Sequence, residues 1–184
     1  MGHKHIKCAK GVLSGYKIVA FDFDDTLAVH KDKDYAAHRK ALNEDNYFRL
    51  AYLCPDDFYE KIEPCTAPTE MQNFICYLRT LGSVKLYCIS GMKHTLHYKA
   101  KEAFIHKHYG LDIELIASGS QERKADVLRV LQSVNNCNPD EVLFVDDRQT
   151  TVDFLCKQGF NAILASDIPT LSPDRVSFTS LMDN

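Results

Sequence analysis

Two short apolar runs, KIVAF at 17–21 and VLFV at 142–145, each lead straight into carboxylates: Asp22, Asp24 and Asp25 after the first, Asp146 and Asp147 after the second. Unbroken β-branched and aromatic runs of this length are the mark of strands buried on both faces of a parallel sheet. Such sheets bind ligands beyond the carboxyl ends of their strands. Two such ends side by side gather at least four acidic groups at one rim. Their repulsion favours protonating some of them, unless a cation sits among them or the groups splay into water. A divalent metal is therefore the first expectation.

The rest of the chain supports a parallel sheet, because strand and helix patterns alternate along it. After a polar leader and a first strand at 17–23, a polar stretch follows at 29–34. Residues 35–53 then carry Ala37, Leu42, Tyr47, Leu50, Ala51 and Leu53 at helical spacing, and Pro55 restarts a short helix through Ile62. Pro64 and Pro68 mark a break. Thr69 can cap a helix with Met71, Phe74, Ile75, Leu78 and Leu81 on its apolar side, closed by Gly82. Further strands are expected at 84–89, 113–117, 141–145 and 162–165, with helices at 94–109, 121–134 and 150–158 between them. The reading is one α/β domain over residues 1–184, a doubly wound parallel sheet of about five strands. A small helical insert at 29–68 sits over the acidic rim, and a tail rich in Ser, Thr, Pro and Asp follows Pro169.

Composition narrows the partners. A net charge of −3 supplies no general basic field for nucleic acid and no polybasic membrane patch. No stretch approaches the roughly 20 apolar residues of a membrane span. Lys17 interrupts the one apolar stretch near the N-terminus, which is also too short for a signal peptide. Seven cysteines, an odd number with no C-x-x-C pair, read as small core residues in a reducing compartment. The expectation is a cytoplasmic protein.

The chemistry is read from four places. In an extended strand residues two apart face the same way, so Asp22 and Asp24 are expected to project together. One could attack phosphorus or bind metal while the other passes protons to and from a leaving group. Strand 84–89 ends in Ser90 and Gly91, a hydroxyl beside a residue whose backbone can approach an anion closely. Lys124 opens an amphipathic helix with Val127, Leu128, Val130 and Leu131 turned inward, and its ammonium could balance phosphate and nucleophile. Each of the last two signals is weak alone, since polar residues are common at helix starts and strand ends.

Together and in this order, DFDDTL at 22–27, Ser90-Gly91, Lys124 and Asp146-Asp147, the chain resembles the haloacid dehalogenase-like hydrolase superfamily over residues 17–165. The resemblance implies a Rossmann-like sheet, magnesium and a phosphoaspartyl intermediate. It implies Asp22 as nucleophile and Asp24 as the acid and base. Asp22, the main-chain carbonyl of Asp24 and Asp146 would hold Mg2+, with Asp147 as a further ligand or behind one. Thr26, Ser90 and the Gly91 amide would contact or orient the phosphoryl group, and Lys124 would neutralise it. Asp24 also favours phosphate chemistry over dehalogenation, because dehalogenases of the family lack this second aspartate.

Only 68 residues separate Asp22 from Ser90, which leaves room for a reduced lid alone. The expected substrate is a phosphorylated small molecule, with a larger phosphorylated partner still admitted. Arg123 competes with Lys124 for the cationic role by one position. A phosphotransferase would use the same residues. A receiver-like, non-catalytic phosphate-binding module is the reading from another class, although in receivers the lysine follows the other motifs. His94, His97, His106 and His108 share one expected helix without acidic or cysteine partners and read as solvent-facing or interface residues, with Lys93 and His94 near enough to the hydroxyl motif to touch a substrate. The aromatics of the insert read as packing, with one or two free to stack on a ring-bearing substrate.

Overall fold

The computed structural model describes residues 13–31, 55–65, 68–92, 95–120 and 122–171. The leader, the expected helix at 35–53, Lys93, His94 and the tail beyond 171 lie outside the described residues. In chain order the elements are β1 (Ile18–Phe21), β2 (Ala28–His30), α1 (Pro55–Glu60), β3 (Ile62–Pro64), α2 (Pro68–Thr80), β4 (Lys85–Ser90), α3 (Thr95–His108), β5 (Ile113–Ala117), α4 (Lys124–Val134), β6 (Val142–Asp146), α5 (Gln149–Lys157) and β7 (Asn161–Leu164).

Five strands form one sheet in the order β5-β4-β1-β6-β7, all parallel. The apolar runs explain it, because every residue of β1 and β6 is buried and each strand covers both faces at once. Alternation along β1 divides the core in two. Val19 and Phe21 pack with Phe74, Ile75 and Leu78 of α2 and with Phe104 and Ile105 of α3. Ile18 and Ala20 pack on the other side with Leu128 of α4 and with Val152 and Leu155 of α5. Two helices on each face make the doubly wound architecture expected from the alternating pattern.

The chain runs from β1 outward through β4 to β5, then crosses back to β6 and β7, so the winding direction reverses between β1 and β6. Both acidic clusters lie at the carboxyl ends of those two neighbours. Phe21 is in register with Val145 and with Cys88, and the Asp22 amide continues the ladder by donating to the Val145 carbonyl at 2.8 Å. Register therefore sets Asp22 beside Asp146, with Ser90 at the end of the strand on the other side.

Three sequence expectations are corrected. The start and end of the insert pair as an antiparallel ribbon, β2 with β3, where a polar stretch and the end of a helix are expected; three-residue strands are too short for alternation to show. The Lys31 amide donating to the Lys61 carbonyl at 2.8 Å draws the insert's two ends together. Val130 does not turn inward: it is 61% exposed, and the buried stripe of α4 is Lys124, Ala125, Leu128 and Leu131. His97 is not solvent-facing but buried, its ring edge-on to Tyr59 at 5.7 Å, because α3 packs beneath α1.

The turn after α3 is tied to α2 by Arg79, whose Nε donates to Asp112 Oδ2 at 2.7 Å and whose Nη2 donates to Asp112 Oδ1 and the Tyr109 carbonyl. Gly110 stands inside this clamp with φ +112°, and a Cβ there would come within 2.6 Å of Arg79 Nη2. Backbone strain and steric conflict coincide, so Gly110→Ala is expected to lower unfolding stability by about 1–3 kcal/mol in urea melts.

Candidate active site

β1 ends at Phe21, and the next residues leave the sheet in a tight turn. The Phe23 carbonyl accepts from both the Leu27 and Ala28 amides at 3.0 Å, and Asp25 takes a left-handed φ of 60°. This corrects the strand argument for Asp22 and Asp24. Asp22 sits at the strand's end and Asp24 within the turn, so the two carboxylates find different surroundings. Thr26 lies fully buried in the same turn, with a hydroxyl that has no hydrogen-bond partner among the described residues.

Asp22 is 2% exposed and meets Lys124 Nζ at 2.7 Å through Oδ1. The same ammonium lies 2.9 Å from Asp146 Oδ2 and 5.2 Å over the Phe144 ring. Lys124 is fully buried while Arg123 is exposed, so the lysine reaches the cluster. The first residue of α4 gets there because β6 lies next to β1 and α4 covers that face. Asp146 Oδ1 accepts the Arg148 amide at 2.9 Å, which orients its carboxylate.

Burial pushes the Asp22 carboxyl above the usual carboxylate range, against the pull of Lys124, and Asp146 and Asp24 add to the rise. Burial alone lowers Lys124, but Asp22 and Asp146 together outweigh it and hold the ammonium above its ordinary value. Asp147, half-buried, is raised to about 6 by burial and then by Asp22 and Asp146. The two carboxyl shifts come first from burial and then from anions gathered at close quarters.

One carboxylate oxygen from each of Asp22, Asp146 and Asp147 lies within 4.8 Å of the other two. An all-oxygen set of this kind suits a small hard divalent cation. The Asp24 carboxylate does not join the trio, so any part Asp24 plays toward a cation falls to its main-chain carbonyl.

On the β4 side, Ser90 is fully buried and Gly91 exposed, with open space where a Cβ would stand on Gly91. Sequence reasoning missed a second lysine here. Lys101 of α3, 2% exposed, donates to Asp24 Oδ2 at 2.6 Å and to Ser90 Oγ at 2.8 Å, its ammonium 4.5 Å over the Phe23 ring. Its signal was positional. Lys101 follows His97 by four residues and precedes Ile105 by four, so it occupies the buried stripe of α3 rather than its wet face. Four carboxylates, Asp22, Asp24, Asp146 and Asp147, meet the ammonium groups of Lys101 and Lys124 and, at 4.0 Å from Asp146, the Arg148 guanidinium, so acids outnumber cations in a cluster that suits a bound cation.

No family model matches the sequence, and no curated protein matches it significantly. Solved structures do. The chain is similar to SP0104, a haloacid dehalogenase-like family hydrolase from Streptococcus pneumoniae, with TM-score 0.54 and 11% identity over 92% of this chain and 98% of that one. A phosphoserine phosphatase described as a phospho-aspartyl intermediate analogue aligns with TM-score 0.51 and 15% identity over 78% and 83% of the two chains. The HAD family enzyme BT-2542 from Bacteroides thetaiotaomicron, in complex with magnesium and inorganic phosphate, aligns with TM-score 0.50 and 11% identity over 81% and 93%. Among the described residues no helix is long and apolar enough to cross a membrane.

Proposed function

From the haloacid dehalogenase-like fold of this chain, we propose that it is a magnesium-dependent phosphomonoester hydrolase that works through a phosphoaspartyl intermediate on Asp22. The observation that carries the reading is the paired placement of two aspartates. Asp22 is buried against Lys124 and the acidic trio, whereas Asp24, two residues on, is held apart by a different lysine. Like groups in unlike surroundings are what a nucleophile and a proton donor need.

In the first half-reaction an Asp22 oxygen bonds to phosphorus as the ester P–O bond breaks, and Asp24 gives its proton to the departing oxygen. In the second, Asp24 takes a proton from water as the water oxygen bonds to phosphorus, and the bond to Asp22 breaks to release phosphate. Lys124 offsets the charge of the nucleophile and the phosphoryl oxygens, while Ser90, the Gly91 amide and the spare hydroxyl of Thr26 supply donors around them. Asp22, Asp146 and Asp147 would hold the magnesium ion, which when bound neutralises this cluster and polarises the phosphoryl group. The substrate class we propose is a phosphorylated small molecule, with larger phosphorylated partners as the variant to compare.

The purified protein is expected to release phosphate from an aryl phosphate when magnesium is present and to stop when EDTA is added. Release unaffected by EDTA, or a wild type inert toward a panel of phosphorylated metabolites and oligonucleotides, would refute this function.

A further inference from the structure

Lys101 carries a role that the four motifs do not contain. An ammonium only 2% exposed is costly unless its hydrogen bonds are made, and both partners of this one belong to the site: Asp24 at 2.6 Å and Ser90 at 2.8 Å. The Lys101 ammonium also lies 4.5 Å over the Phe23 ring, which follows the nucleophile position directly. We propose that Lys101 is a positioning residue that aims the proton donor and the phosphate-facing hydroxyl at the same ester, a role that rests on the phosphatase reading above.

Two consequences follow from donor and acceptor counting. By holding Asp24 Oδ2, Lys101 leaves Oδ1 as the oxygen that carries the proton to the departing ester oxygen and later receives one from water. By donating to Ser90 Oγ, it makes that oxygen an acceptor, so the single hydroxyl hydrogen is released toward a phosphoryl oxygen. Lys101 itself neither gives nor takes a proton. It acts on the leaving-group side, whereas Lys124 acts on the nucleophile.

That division makes a distinctive prediction about leaving groups. An aryl phosphate expels a stable phenolate and needs little help from an acid; an alkyl phosphate expels a poor leaving group and depends on it. Lys101→Met, of similar length and without donors, is expected to lose about 10²-fold or more in kcat/KM on alkyl phosphates and less than about 10-fold on aryl phosphates. Lys101→Gln, whose amide can donate to both partners, is expected to recover part of the alkyl loss and serves as the second variant should the Met protein not fold. In an Asp24→Asn background, Lys101→Met is expected to add on alkyl phosphates only the smaller factor of less than about 10-fold seen on aryl phosphates, the part that belongs to the Ser90 hydroxyl. An equal loss on both ester classes, or full additivity with Asp24→Asn, overturns the positioning role, because a merely structural lysine would slow both alike. A wild type inert on both esters overturns the phosphatase reading instead, so the two failures are distinguishable.

Discussion

Asp22→Asn is expected to release no phosphate above background, a fall of at least about 10⁴-fold in kcat, while the metal-free protein melts at a higher temperature than wild type. The first half of this result follows from the nucleophile: an amide oxygen cannot form the phosphoaspartyl bond. The second follows from the carboxyl's raised pKa. A carboxyl whose folded value lies above its unfolded one, 3.8, contributes stability below 3.8 that is lost as pH rises through the folded value. Above pH 3.8 Asp22 therefore works against folding, chiefly through its own burial and then through Asp146 and Asp24. A neutral Asn keeps an acceptor for Lys124 and leaves that lysine its pair with Asp146 at 2.9 Å. The expected gain is about 1–2 kcal/mol, read from thermal or urea melts in EDTA, as is common when a strained active site is relaxed. A variant that is both inactive and less stable in EDTA would count against Asp22 as a repelled anion at the centre of the site.

Lys124→Met is expected to act in the opposite direction on stability. Lys124 is fully buried and spans Asp22 at 2.7 Å and Asp146 at 2.9 Å. Methionine fills similar volume, so the cavity term is small and the loss is electrostatic. Removing one partner from a buried ionic cluster leaves uncompensated charge and costs about 3–5 kcal/mol. The loss is expected in metal-free buffer and should shrink when magnesium is added, since the same carboxylates then gain another positive charge. Denaturant melts with and without magnesium check it. A destabilisation equal in both buffers would mean that Lys124 serves packing alone. Opposite signs for Asp22→Asn and Lys124→Met are a joint signature of an anion-rich cluster in which Lys124 bridges Asp22 and Asp146.

The parts of the molecule that were legible beforehand are those with local, periodic signals. The unbroken apolar runs announced β1 and β6 because a strand buried on both faces is built mainly of apolar residues, and both strands are buried along their whole length. The carboxylates beyond them could be placed at one rim because parallel strands all end on the same side. Lys124 could be preferred to Arg123 by counting one helix and a loop back from Asp146, and the structure places the lysine inside and the arginine outside. Val130, by contrast, was misjudged because a helix has room for about three to four inward positions in two turns, and the apolar residues of α4 exceed the stripe that touches the sheet.

The misreadings share a cause. The spacing of 97, 101 and 105 puts His97 and Lys101 on one stripe with Ile105, but nothing local in the sequence shows what covers that stripe: α1 packing over the helix, and the turn at residues 23–27 swinging Asp24 toward it. Local patterning of a chain is enough to dictate where strands end and which acids follow them, since those depend on neighbours one or two positions away. Which lysine answers which aspartate depends on strand order and on helices packing across the sheet. Those are contacts between residues 77 apart for Lys101 and Asp24, and no periodicity can encode a partner at that distance.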